Sequence, residues 1–414
     1  MKWRFDSQIL TDTDSRFRSQ IDQWILIALE ERPVSWQGLL QLLPGVFPLD
    51  VWAGLERIGY DFESLKLEAP DNNRRDSYQA EFVDLLEHPL DYEWRFADSG
   101  IDSMLEAAKG VLLDSPAEAS CLGCPTIFTE GAKRFPNCHW HLVDRRAERI
   151  KNHSENASSI SWDLRKPLEP KNRFGIAFVD PPWYNPITLC FLQNAVRQLK
   201  TDGTVLLSMP AIGTRPSAED DRVQVLKWCA QVGLVLESVE DRALLYSTPY
   251  FEQKSLIAAG FTADVPTWRR GDLLRFRLSE ISQKFPEAFT DQQAPHLAKE
   301  FRFGDIKIIT LESQGLSSSP KEGGFKLSEV WNEETLPSVS TRFARRNTAN
   351  IVTSGNRFFH CDNISAASAH LTELLDVWED GCWQSSGTNN LQLKTIINNE
   401  VAELKVFKEV PCVG

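Results

Sequence analysis

The stretch "GIAFVDPPWYNP", residues 175–186, runs from apolar residues straight into Asp180, Pro181, Pro182, Trp183 and Tyr184. A short apolar run bounded by turn residues reads as a buried strand. Two prolines lack N–H groups and hold φ near about −65°, which fixes the strand end and leaves the carbonyls of Asp180 and Pro181 open as acceptors. Asp180 adds a carboxylate, and Trp183 or Tyr184 adds a flat wall. Acceptors beside a ring make a slot for an amino group. Held by its N–H bonds, an amine points its lone pair at an electrophile, and alignment is most of what methyl transfer asks of a protein. As a mere turn, the same residues would simply stop the strand.

Other strand ends carry residues suited to a nucleoside. "LGCPT" (Leu122 to Thr126) has Gly123 and Pro125 in a turn where backbone can approach a ligand. Asp144 follows "HWHLV" and suits the two hydroxyls of a ribose; Asp163 follows "SSISW" and suits an amino group of adenine. Either acid is equally readable as the cap of the element that follows it. These residues need a scaffold that brings strand ends to one edge. From about residue 92, strands and helices alternate: helix "SGIDSMLEAAKGVLLDSP", strand "ASCLGCPTIF", helix "TEGAKRFP", then the strands "HWHLVDRR", "SSISWDL" and "FGIAFVD". Helix "ITLCFLQNAVRQLK", strand "TVLLSMP", helix "AEDDRVQVLKWCAQVG" and strands "LVLESVEDRALLYS" and "KSLIAAGF" complete the pattern. This implies an α/β fold, a mostly parallel sheet with helices on both faces, whose ligands bind outside the carboxyl ends of the strands.

Tyr92 to Phe261 resembles a class I S-adenosylmethionine-dependent methyltransferase with the [DNS]-P-P-[YFW] motif of amino-group methylators. It is most similar to the family first called adenine-N6 methyltransferase-like, which includes the elongation factor 1A lysine methyltransferases. "YEWRF" (Tyr92 to Phe96) stands at the family's aromatic segment beside the cofactor, "CLGCPTIFTEGAKRFP" at its cofactor loop, and "LVDRR" at its acid after the second strand. The resemblance implies a Rossmann-like domain and S-adenosyl-L-methionine as cofactor. It assigns Trp94, Phe96, Gly123, Cys124, Pro125, Thr126, Asp144 and Asp163 to the cofactor, and Asp180, Pro181, Pro182, Trp183 and Tyr184 to catalysis. Two departures matter. Trp183 replaces the tyrosine usual in the lysine methylators and matches the RNA adenine methylators, so adenine N6 and protein lysine both stay open as acceptors. The glycine-rich cofactor loop is missing.

The flanks read differently. "SRFRSQIDQWILIALEE", a helix opened by Ser35 and a third ending at Gly59 predict a winged-helix-like module over 1–65. Its third helix has Arg57 as its one cation beside Asp50 and Glu56, which favours a protein partner or scaffolding over DNA reading. A linker over 66–91 leads to the methyltransferase-like domain, 92–263. Residues 264–414 read as an α+β domain for substrate recognition, with "TWRRGDLLRFRL" and "EFRFGDIKIITLE" as strands each marked by a "GD" turn. There Arg342, Arg345, Arg346, Asn350 and Arg357 form a candidate site for phosphate, nucleic acid or an acidic protein surface, or else a solvated strand face or a set of salt bridges to an acid-rich chain.

In 414 residues, 42% hydrophobic and 25% charged, no apolar run is long enough to span a bilayer, and no secretory signal is evident at the start. A cytoplasmic location and reduced cysteines are expected. The net charge of −13 argues against a grip on a long duplex. Cys121, Cys124, Cys138, His139 and His141 include a C-x2-C pair, but their apolar setting reads as strand and turn core, with no metal expected. The substrate is then nucleic acid or protein, and no membrane is involved. The alternative function is a non-catalytic interaction or scaffold protein built on the same core.

Overall fold

Residues 174–179 form the strand that the apolar run predicts, and the elements around it decide what its end can do. The computed structural model describes residues 12–60, 89–91, 94–114, 117–150, 155–259, 261, 267–279, 297–312, 324–330, 335–336, 348–379, 382–384 and 391–409. The chain divides into two compact units: Met1–Lys66, Trp94–Thr248 and Thr267–Asp291 form the first, and Leu67–Glu93, Pro249–Pro266 and Gln292–Gly414 the second.

The first unit opens with helices α1 (Asp12–Glu30), α2 (Trp36–Leu42) and α3 (Pro48–Ile58). Ser35 caps α2 by accepting from the Gly38 N–H, and α3 ends at Gly59 in the left-handed conformation. Ile21, Ile25, Leu39, Leu40, Val51 and Leu55 are buried between them. The strands of a wing would fall within residues 61–88, which lie outside the described residues. Then follow β1 (Arg95–Phe96), α4 (Asp98–Leu113), β2 (Glu118–Leu122), α5 (Pro125–Arg134), β3 (His139–Asp144), β4 (Ala157–Ser161), β5 (Phe174–Val179), α6 (Asn185–Gln198), β6 (Leu199–Pro210), α7 (Ala218–Gln231), β7 (Leu234–Ser247) and β8 (Thr267–Leu278).

The eight strands form one sheet in the order β1-β7-β8-β6-β5-β2-β3-β4. Strands β2 to β6 pair in parallel, while β8 runs antiparallel to both β6 and β7. From β2 the chain moves outward through β3 and β4, then returns to β5 on the other side of β2. The crevice between the ends of β2 and β5 is therefore the topological switch point, where such sheets bind ligands. Period-two alternation gives β5 two buried faces. Ala177 and Val179 pack with Leu192 and Val196 of α6 and Val225 of α7, while Phe178 on the opposite face stacks on Trp140 at 5.6 Å.

Four sequence expectations change here. "ASCLGCPTIF" is strand only to Leu122; Pro125 fits the first turn of α5, which starts there because its missing N–H is no loss. "KSLIAAGF" lies mostly in helix α8 (Tyr250–Ala258) and belongs to the second unit. "TWRRGDLLRFRL", placed in the C-terminal domain by the 263/264 boundary, is β8 in the first unit's sheet. Its "GD" is not a turn: Asp272 is buried in the strand, held by Arg222 Nη2 at 2.7 Å. Local pattern shows that a strand exists but not which sheet it joins.

The second unit contains α8 and a five-stranded antiparallel sheet, order β11-β13-β12-β10-β9, from β9 (Leu297–Phe303), β10 (Ile306–Glu312), β11 (Leu327–Glu329), β12 (Ile351–Thr353) and β13 (Phe358–Cys361). Helix α9 (Ile364–Asp376), the two-stranded β14 (Trp378–Glu379) and β15 (Cys382–Trp383), and α10 (Leu391–Glu409) follow. Phe301, Ile308, Leu371 and Ile397 belong to the core of this unit. Among the described residues no helix is long and apolar enough to cross a membrane.

Candidate functional site

Asp180 follows β5 directly, and the parallel pairing puts it at the same edge as Gly123 after β2. Its N–H donates to the Leu122 carbonyl at 3.2 Å, and its own carbonyl faces Gly123. Gly123 has φ +70°, and a Cβ there would lie 2.8 Å from Phe191 and 3.1 Å from the Asp180 carbonyl oxygen. Only glycine lets the two loops approach this closely. Among the described residues the carbonyls of Asp180 and Pro181 accept no hydrogen bond, whereas that of Pro182 accepts from the Tyr184 N–H at 2.7 Å.

The carboxylate is positioned by two residues that the sequence pattern did not flag. Ser208 Oγ, near the end of β6, donates to Asp180 Oδ1 at 2.5 Å, and the Tyr246 hydroxyl, near the end of β7, donates to the same oxygen at 2.7 Å. Among the described residues Oδ2 accepts none. Burial pushes the Asp180 carboxyl up to about 6, against the opposing pull of Ser208, Tyr246, Arg269 and Arg95. Burial and the Asp180 charge push Tyr246 well above the usual phenol range, so it stays a donor. Both residues end apolar runs, "LLSMP" and "LLYS", and a polar residue at such an end was the available signal.

Trp183 is not the open wall expected. It is 8% exposed, its indole N–H reaches Ser208 Oγ at 3.5 Å, and Tyr246 meets it edge-on at 5.5 Å. Its face carries the Arg269 guanidinium, whose Cζ lies 4.0 Å from the ring centroid. Gly271 lets β8 pass beneath, since a Cβ there would sit 2.9 Å from Trp183 Cζ2. Tyr184 is the N-cap residue of α6, partly exposed.

The residues expected to hold the cofactor separate into two groups. Gly123, Cys124, Pro125 and Thr126 stay at the switch point, where Cys124 precedes the first turn of α5 and Thr126 is partly exposed in it. Asp144 ends β3, and its Oδ1 accepts the Arg146 N–H at 2.8 Å in an Asx turn. Asp163 is engaged: Arg165 grips both of its oxygens, at 2.9 Å from Nε to Oδ1 and 2.6 Å from Nη2 to Oδ2. Burial alone would raise Asp163, but Arg165 holds it below the usual carboxylate range. That bidentate pair occupies the carboxylate read as an acceptor for an adenine amino group. Trp94 and Phe96 stand at the β1 edge of the sheet, beside β7: Phe96 packs on Tyr246 at 4.6 Å, and the Arg269 Cζ lies 4.4 Å from the Trp94 centroid. Tyr246 and Arg269 link both residues to the surroundings of Asp180.

Other expectations are corrected. Arg57 bonds Asp22 through Nε and Nη2, joining α3 to α1, so the one cation of α3 is engaged inside the module. The module also packs on the start of β8: Gln37 donates to the Thr267 carbonyl at 2.9 Å, and Phe47 meets Trp268 edge-on at 5.6 Å. In the second unit, Arg357 is buried and bonded to Glu400 and Glu403, each at 2.5 Å. Asn350 pairs through both side-chain atoms with the backbone of Cys361. Both are engaged within this unit; Arg342, Arg345 and Arg346 lie outside the described residues. Cys121, Cys124 and Cys138 are buried, with the Cys138 thiol pushed up to about 12 by burial. Burial, Lys171 and Arg173 push His141 down to about 4, and its Nδ1 pairs with Ser158 Oγ. Among the described residues no group of three or more His, Cys, Asp or Glu could hold a metal ion.

Fold and site together define a doubly wound α/β protein with a carboxylate slot at its switch point. No family model matches the sequence, and no curated protein matches it significantly. Among solved structures it is similar to a branched-chain polyamine synthase mutein from Thermus thermophilus, in complex with N4-aminopropylspermidine and 5'-methylthioadenosine. That likeness has TM-score 0.47 and 13% identity, covering 68% of this chain and 98% of the synthase. The N-methyltransferase NodS from Bradyrhizobium japonicum is similar over 44% of this chain and 99% of its own, at 16% identity and TM-score 0.29. A putative methyltransferase from Bacillus halodurans is similar over 43% and 100%, at 14% identity and TM-score 0.30. Likeness of this degree concerns the fold alone.

Proposed function

We propose that this protein is an S-adenosylmethionine-dependent methyltransferase acting on an amino group, the acceptor being adenine N6 or a lysine amine. One observation carries the reading. At the switch point Asp180 offers Oδ2 and two accepting carbonyls, while its other oxygen is fixed by Ser208 and Tyr246. An amine with N–H donors fits that set of acceptors, and the Gly123 loop lies against the Asp180 carbonyl where a sulfonium donor would meet it.

Gly123 to Thr126 and Asp144 would hold the cofactor, which supplies the electrophilic methyl group when bound. The fit rests on the close approach at Gly123 and on the start of α5, whose first-turn N–H groups face this edge. Asp180 orients the amine and, ionised, stabilises the positive charge that grows on nitrogen as it attacks. The proton leaves the product ammonium afterwards, so no strong base is required.

Calorimetric titration of the purified chain with S-adenosylhomocysteine tests the cofactor half; absence of binding at millimolar ligand would favour a scaffold role. Tritiated cofactor in a lysate, with counts divided between nuclease-sensitive and protease-sensitive fractions, identifies the acceptor. Retention of label transfer by Asp180→Ala would remove the amine slot.

A further inference from the structure

Arg269 is the least expected residue of the site. Its guanidinium carbon lies over two indole rings, 4.0 Å from the Trp183 centroid and 4.4 Å from that of Trp94. Among the described residues none of its N–H groups makes a hydrogen bond or ion pair. The rings attract its charge but offer no acceptor atoms, so its five N–H donors stay available for something else.

A second arginine adds an independent observation. Arg215 Nη2 bonds Asp221 Oδ2 at 2.8 Å, but Arg215 Nε is buried without a hydrogen-bond partner. Burial lowers the Arg215 guanidinium and the charge of Arg269 lowers it further, against the pull of Asp221, so the two cations repel one another. Tyr184, from the strand end that carries Asp180, couples to the same arginine. Asp221 beside Arg215 and the Asp180 carboxylate near Arg269 offset part of this charge but leave donors of both guanidinium groups open, and an oxyanion takes those up through charge-assisted, forked hydrogen bonds.

We propose that Arg269, with Arg215, binds an oxyanion, a carboxylate or phosphate, carried by the acceptor itself a short distance from its reactive amine. The assignment to the acceptor rests on the function proposed above. The site then presents opposite charges side by side: Asp180 for the amine, and Arg269 and Arg215 for the anion. Its complement is an amine with an acidic group beside it, such as an amino acid or a nucleotide. A purely cationic polyamine would face two arginines. The guanidinium also covers a face of Trp183 on which a lone purine would otherwise stack.

The test uses the full chain labelled at its indole nitrogens, with the Trp94 and Trp183 signals assigned from Trp94→Phe and Trp183→Phe. Inorganic phosphate and acetate are titrated separately against sodium chloride at matched ionic strength. The expected result is a saturable shift of both signals with at least one of the two anions, and the better one names phosphate or carboxylate. Arg269→Gln should weaken that binding by about tenfold or more, Arg215→Gln by less, and Arg269→Lys should recover part of it. Shifts no larger than with chloride, or shifts unchanged in Arg269→Gln, overturn the proposal. S-adenosylhomocysteine calorimetry on the same samples separates the two readings. Cofactor binding without anion binding leaves the methyltransferase reading and removes this one. Anion binding without cofactor binding overturns the assignment to an acceptor.

Discussion

A carboxylate that accepts two hydrogen bonds on one oxygen and still has a raised pKa is poised near neutrality, and Asp180 is in that state. Because the ionised form is the better acceptor, methyl transfer should rise with pH along a limb centred at about 6. Ser208→Ala removes a donor that favours the ionised form, so the limb should move to higher pH. A pH profile of kcat/KM checks both, and a limb unmoved in Ser208→Ala would place the titrating group elsewhere. Asp180→Asn keeps an acceptor for Ser208 and Tyr246 and removes the buried charge. The folded pKa, about 6, lies above the ordinary 3.8. The folded state therefore binds the proton more tightly, and the cost of ionisation is fully present above the folded value and absent below the ordinary one. Asp180→Asn should thus lose activity while matching or exceeding the parent Tm at about pH 8, with the difference closing in acid.

The elements hold this residue through backbone and buried charge. Gly123 lets the β2 loop pass the Asp180 carbonyl at φ +70°. Gly123→Ala forces a Cβ against Phe191 and that carbonyl, and should cost about 1–3 kcal/mol in denaturant unfolding with a larger relative loss of cofactor affinity. Strand β8 is anchored by Asp272, which accepts from Arg222 Nη2 and from the Arg242 N–H, both at 2.7 Å. With side chains 8% and 3% exposed, Arg222 and Asp272 form a buried pair. Asp272→Ala strands a buried guanidinium, for an expected loss of about 3–5 kcal/mol; a loss below about 1 kcal/mol would show that the pair is dispensable.

At the scale of the molecule, the chain leaves the first unit between Thr248 and Thr267 and returns as β8. The second unit keeps its own buried network: Arg357 bridges Glu400 and Glu403, Thr353 donates to Glu400 at 2.6 Å, and Lys254 of α8 reaches Glu403 at 2.5 Å. Arg357→Ala leaves Glu400 buried without its cation. Hydrogen exchange should then show protection lost in β12, β13 and α10, and unchanged in β2 and β5. Equal loss in β5 would mean that the two cores unfold as one.

The sequence by itself determined the parallel core and the position of its slot. Apolar runs of strand length, amphipathic helices and proline at the β5 end are local signals, and local sterics and burial decide them. "VDPPW" therefore marked the strand end at which Asp180 stands. The partners of Asp180 come from β6 and β7, tens of residues away, and nothing local to "LLSMP" or "LLYS" names a contact across a sheet. Arg269 is one of two arginines in "TWRRG", and only strand pairing sets it on Trp183. For the same reason the sequence left Arg357 open between a ligand site, a solvated face and salt bridges, until α10 supplied its glutamates. Composition and periodicity fix which faces are buried; which charges meet depends on chain topology, because electrostatic pairing follows distance in space and not distance along the chain.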